Sequence, residues 1–338
     1  MIAAAHTDGT IALLNLRAQI DGLGHATAED RIALIDLLTL RGLILGHIAD
    51  YERAEEIAER LVRDEATDGM ALVARARTRA VFHRFTDALG DLDRAERLSL
   101  DAEITNRERA AILQGLGRYE EALALREKAG ERRASFENVA ALVGLHAERS
   151  EIDAAKRLYA ESCIRYRGVS PFPMALLDFQ VGLMWMDQGR LEDARTSFNA
   201  ACRRVPAYAP AQGHLAEVEA EFGEIASAVA RLYPLALSSD DPDYAAQLAR
   251  ILGYSGRVYE ARHWRRLAAA RYDELIARHP EAFADHAAEF WLAAGADPGK
   301  ALPLARMNVE VRKTPRAYGL LAQAVAANEA AGATPSWA

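Results

Sequence analysis

The sequence predicts an all-α solenoid of helical hairpins, and three observations carry that prediction. Alanines at 54, 88, 122, 155, 194, 228, 261 and 301 are separated by 34, 34, 33, 39, 34, 33 and 40 residues. A period near 34 marks paired-helix units that bury a continuous core only by stacking on one another. Twelve residues before each of these alanines (thirteen before the last) stand Gly42, Ala76, Ala110, Val143, Gly182, Ala216, Ala249 and Ala288. Small side chains there let two helices approach closely. Apolar residues make up 51% of the chain but aromatics only 7%, which suits Ala- and Leu-rich helix packing better than sheets.

The elements follow in order. Residues 1–34 read as an N-terminal cap with a helix from about Thr10 to Ile20, and repeats one to four occupy 35–166. Thr27 ahead of Asp30, and Thr105 ahead of Glu108, read as capping boxes; Ser135 reads as a cap, and Asp178 lies near a helix start. Three residues before each periodic alanine stand Tyr51, Phe85, Tyr119, Ile152, Leu191, Ile225, Val258 and Pro298, which plug the turns within hairpins. Two such turns are spelled out as Gly117-Arg118-Tyr119-Glu120-Glu121-Ala122 and Gly189-Arg190-Leu191-Glu192-Asp193-Ala194.

The 39-residue interval is absorbed by a Pro-containing linker over 167–174, rich in helix breakers. Repeats five to eight then span 175–314, and the 40-residue interval requires a long second helix from about Glu260 to Arg278. Pro206, Pro242, Pro280 and Pro315 punctuate turns between units, where proline cannot continue a helix. A last helix from Arg316 to about Ala330, within a cap and tail over 315–338, covers the final hairpin.

These positions together resemble the tetratricopeptide repeat (TPR) family. Over residues 175–208, Gly182, Trp185, Gly189, Leu191, Ala194, Phe198, Ala201 and Pro206 stand in family register. The resemblance implies a right-handed superhelix of about eight hairpins with capping helices. It also implies a protein-interaction scaffold whose first helices line a concave groove. With the periodic alanine as position 20, groove positions 2, 5, 9, 12 and 13 of the fifth unit hold Leu176, Phe179, Leu183, Met186 and Asp187. The sixth unit contributes Glu217 and Glu221; the seventh contributes Asp243, Arg250 and Tyr254, with Gln247 adjacent.

An apolar stretch rimmed by polar groups suits a partner peptide or helix. A regulatory receptor for a small signalling peptide or metabolite, and a self-associating homo-oligomer, are the alternatives. Family members that clamp a chaperone's terminal carboxylate need basic and amide residues where this chain has Thr39, Leu43, Ala74, Ile104 and Glu108, so that activity is not expected.

A second periodic feature is Arg41, Arg75 and Arg109, spaced by 34 residues, with Glu59, Asp93 and Glu127 at the same spacing. These arginines could form an anion-binding ladder, but mutual pairing with the acids is the expected outcome. The net charge of −8 gives no footprint for nucleic acid. Only four of the 41 basic residues are lysines, as in proteins from GC-rich bacterial genomes.

Nothing approaches the ~18 apolar residues of a membrane span. Met1 to Thr10 lacks the pattern of an export leader. A cytoplasmic setting is therefore expected, or a periplasmic one if a leader has been removed. Cys163 and Cys202 have neither metal nor redox spacing. No enzyme motif is present, His279, Asp285, His286 and Glu289 fall short of a metal site, and no cofactor is expected.

Overall fold

In the computed structural model, the described residues are 7–24 and 27–333. Most of the segment judged not to be a leader (residues 1–6) and the tail 334–338 lie outside them. Eighteen α-helices and no strand occupy the described residues. Helix α1 (Gly9–Gly22) caps the N-terminal end. Four hairpins follow: α2 (Ala28–Leu45) with α3 (Ile48–Asp64), α4 (Gly69–Val81) with α5 (Phe85–Arg97), α6 (Ala102–Gly115) with α7 (Tyr119–Arg132), and α8 (Phe136–Glu148) with α9 (Ile152–Arg165). Four more are α10 (Phe172–Asp187) with α11 (Leu191–Arg204), α12 (Ala209–Glu221) with α13 (Ile225–Ser238), α14 (Pro242–Tyr254) with α15 (Val258–Arg278), and α16 (Pro280–Leu292) with α17 (Pro298–Val311). Helix α18 (Pro315–Ala333) closes the array. The result is the expected right-handed superhelix of eight hairpins.

Local chemistry explains most helix starts. The Thr27 hydroxyl accepts the Asp30 N–H at 3.0 Å, and Ser135 accepts the Asn138 N–H at 3.3 Å. The expected box at Thr105 does not form. Helix α6 opens on Asp101, which accepts the Glu103 N–H at 2.8 Å, because a carboxylate caps better than a threonine hydroxyl. Thr105 lies inside the helix and donates to Glu96 at 2.6 Å. Pro242, Pro280 and Pro315 each take the first helical position, where a missing N–H costs nothing. Two boundaries differ from expectation. Helix α2 starts at Ala28, ahead of residue 35, and α10 starts at Phe172, inside the expected linker.

The periodic alanines are fully buried except Ala261, whose neighbour Gly253 has no side chain to cover it. The small positions opposite them are equally constrained. A Cβ on Gly182 would fall onto the buried Phe198 ring, and one on Gly42 would lie 2.9 Å from the Tyr51 ring.

A feature not foreseen from the repeats is that the superhelix closes on itself after about five units. Turns within the first three hairpins rest on the turns that follow the last three. Asp240 accepts the Ile48 N–H at 2.6 Å and the Ala49 N–H at 2.9 Å, capping α3 from the other end of the chain. One unit further on, Phe82 stacks on His279 at 4.0 Å, and His83 Nδ1 lies 3.1 Å from the Glu281 carbonyl. In the next, Lys313 N–H donates to the Leu116 carbonyl at 3.3 Å and Arg312 to the Gly115 carbonyl at 3.2 Å. The first core matches this closure. It joins α1–α5 to Phe172, Ala175, Ala201, Val205, Tyr208 and Ala211 from the fifth and sixth units.

Candidate functional site

The concave face differs between its two halves. In the first half, charged side chains satisfy one another. Arg77 on α4 bridges Asp36 on α2 at 3.0 Å and Glu108 on α6 at 2.9 Å, while Gln114 donates to Glu148 at 2.8 Å. The arginine series is likewise occupied. Arg41 binds Asp50 at 2.8 and 2.5 Å, Arg75 binds Asp91 at 3.0 and 2.6 Å and Glu59 at 3.1 Å, and Arg109 binds Asp93 at 2.8 Å and Glu96 at 2.9 Å. Two of the three expected acids, Glu59 and Asp93, are therefore partners. Glu127 meets no fourth rung, because Leu142 stands where the next arginine would be. A free anion would have to displace these carboxylates.

In the second half the superhelix lines a half-open cavity of about 670 Å³. Helix α10 contributes Phe179, Leu183, Met186 and Asp187 to its wall. Facing them are Pro210, His214 and Glu217 of α12, Asp243, Gln247 and Arg250 of α14, and His286, Glu289 and Phe290 of α16. Asp241, the N-cap of α14, and Arg316 of α18 complete the lining. The Phe179 ring is held between Tyr208 at 5.3 Å, His214 at 5.5 Å and Phe198 at 5.7 Å. That fixes the apolar wall, because buried aromatic contacts leave the ring little freedom.

Seven of the ten groove residues expected from the sequence meet here: Phe179, Leu183, Met186, Asp187, Glu217, Asp243 and Arg250, with the adjacent Gln247. Three do not. Leu176 packs against the first core, Glu221 is exposed, and Tyr254 is 83% exposed at the end of α14. Position 13 in the sixth and seventh units thus faces the open edge rather than the cavity. Glu289 is a groove residue that the register could have found, since removing the inserted residue of the last unit places it at position 9. Arg316 belongs to a capping helix that carries no periodic alanine, so no counting reaches it. His279, weighed as a metal ligand, instead lies 3.1 Å from Glu52 in the closure contacts.

Charge sets the character of the cavity. Arg250 and Glu217 pair at 2.9 Å, and His214 Nδ1 lies 3.4 Å from the same carboxylate. Burial opposes ionisation of Glu217, but His214 and Arg250 outweigh it and pull its pKa down to about 2. Arg316 and Glu289 pair at 2.9 Å. Asp241 behaves oppositely: burial and the neighbouring Asp243 charge push it up to about 6. Burial also raises Asp187. His286 is raised, first by the Asp285 charge.

Among solved structures, the chain is similar to the human IFIT1 dimer with m7Gppp-AAAA, at TM-score 0.57 and 16% identity, covering 89% of this chain and 72% of that one. The human IFIT1 dimer with PPP-AAAA gives TM-score 0.56 and 17% identity, covering 89% and 71%. The Cut9–Hcn1 assembly of the APC/C gives TM-score 0.49 and 12% identity, covering 93% and 55%. No family model matches the sequence, and no curated protein matches it. At these identities the likeness is one of fold, and the fold is the TPR-type solenoid. No helix among the described residues is long and apolar enough to cross a membrane.

Proposed function

We propose that this solenoid is a protein-interaction scaffold that holds a segment of a partner in the cavity of its second half. The observation that carries the reading is the wall itself. Phe179, Leu183 and Met186 offer apolar anchors beside the polar pair Glu217–Arg250, all lining one half-open volume of about 670 Å³. A groove of that composition takes an extended or helical segment through side-chain anchors, with polar groups setting its register. The IFIT1 structures hold capped and triphosphate RNA. Here five carboxylates and two guanidinia line the cavity, and the chain carries a net charge of −8, so the field works against a polyphosphate. A receptor for a small ligand is a second reading, favoured by the volume alone.

The test is Met186→Glu, which places a charge on the apolar wall. Phe179 is left intact because its ring also supports two cores. Partners captured from lysate by the wild type should be lost with Met186→Glu at unchanged melting temperature, and kept by Tyr254→Glu outside the cavity. The same proteins on both wild type and Met186→Glu would remove the assignment.

A further inference from the structure

The open hydrogen-bonding capacity of the cavity is mainly of one kind. Its two guanidinium groups are already paired, Arg250 with Glu217 and Arg316 with Glu289. Apart from the rings of His214 and His286, what remains are acceptors. The Gln247 Oε1 atom is buried without a hydrogen-bond partner, while its amide nitrogen donates to Asp243 at 2.7 Å. Asp187, Asp241 and Asp243 line the same space with no arginine or lysine paired to them. Asp241 accepts only the Asp243 backbone N–H, at 2.9 Å. Left unsatisfied, the buried Gln247 oxygen costs free energy that only a donor can recover, whereas the more exposed carboxylates contribute mainly charge.

Ligand classes follow from donor counts. A phosphate or carboxylate brings acceptors and negative charge, and gains nothing from these groups. A neutral amide supplies donors but leaves the excess of carboxylates over cations unchanged. An ammonium supplies three donors and a guanidinium five, neither carries an acceptor, and both add positive charge to a lining of five carboxylates, two guanidinia and two imidazoles. The N-terminus of α14 opposes a cation with about half a positive charge, but the carboxylates around it outweigh that. The apolar wall of Phe179, Leu183 and Met186 adds a second requirement, because a bare cation would leave it wet.

We infer that the cavity receives a lysine or arginine side chain of the bound segment, its head group held by Asp187, Asp243 and Gln247 while adjacent apolar side chains cover Phe179, Leu183 and Met186. This assignment rests on the partner-segment reading above and specifies its chemistry. Burial raises Asp187 despite Arg316 and His214 nearby, and raises Asp241 despite His286, and a further bound positive charge would lower both again.

The experiment is calorimetric titration of the full chain with three acetylated, amidated peptides. Their sequence is Ala-Ala-Leu-X-Leu-Ala-Ala, with X as lysine, norleucine or glutamate. The lysine peptide should bind at least about tenfold more tightly than the norleucine peptide, the size expected of one charge-assisted hydrogen bond. The glutamate peptide should bind least. Asp187→Asn/Asp243→Asn should erase the preference for lysine while keeping the norleucine affinity, and its melting curve checks that it folds.

Equal binding of lysine and norleucine peptides to the wild type, lost in Met186→Glu, would overturn the cationic assignment and leave the partner-segment reading standing. No binding of any peptide would remove both. Spermidine binding as tightly as the lysine peptide would show that the site takes free cations, and would also overturn the assignment.

Discussion

Asp178→Ala should lower the stability of the array by about 3 kcal/mol, the low end for breaking a buried charge pair because Arg204 can turn partly to water. Asp178 is 1% exposed, and it accepts the Tyr159 hydroxyl at 2.7 Å and Arg204 Nε at 2.6 Å. It therefore ties α9 to α10 and α10 to α11, across the place where the linker interrupts the repeat. Removing it strands a half-buried phenol and a half-buried guanidinium together. The check is chemical denaturation, with Asp178→Asn recovering part of the loss through its amide oxygen. Glu121→Ala, which breaks the exposed Arg118–Glu121 pair, should leave the midpoint where it was.

Gly117→Ala is the second large effect, and its control is built into the chain. Gly117 and Gly189 both have left-handed backbone, with φ of 80° and 67°. Alanine costs about 1–2 kcal/mol at either. At Gly189 a Cβ meets nothing within 4 Å, whereas at Gly117 it would lie 2.5 Å from the Lys313 carbonyl oxygen. Gly117→Ala should therefore lose about 1–3 kcal/mol more than Gly189→Ala, the usual cost of overpacking. It should also increase the radius of gyration in small-angle scattering as the closure contact gives way. Equal losses at the two glycines would mean that the ends of the superhelix do not meet in solution.

Those two turns also show what was legible in the sequence. Both read Gly-Arg, a large apolar residue, two acids and alanine, and both form the same turn. Their local geometry follows from local chemistry, as do the helix pairs, the periodic alanines and the cap at Thr27. That only the first is covered by Lys313 depends on superhelical pitch, a sum of small rotations over five units that no single repeat records.

The same limit divides the site. Phe179, Leu183 and Met186 were found because groove positions repeat with the alanines. Leu176 and Tyr254 were misplaced because pitch decides which end of each first helix faces the cavity and which faces the open edge. Asp241 and Arg316 stand outside the groove count, one as a cap and one on an end helix, yet both line the wall.

If a partner segment binds in the cavity of the fifth to eighth units, a lysine of that segment must touch the carboxylates that line it. Zero-length carbodiimide coupling tests it most directly, because it joins a lysine amine only to a carboxylate that touches it. With the lysine peptide bound, mass spectrometry should place the coupling on Asp187 or Asp243, and excess norleucine peptide should reduce it. Coupling spread over exposed acids such as Glu121 and Glu260, and unaffected by that competitor, would place binding outside the cavity.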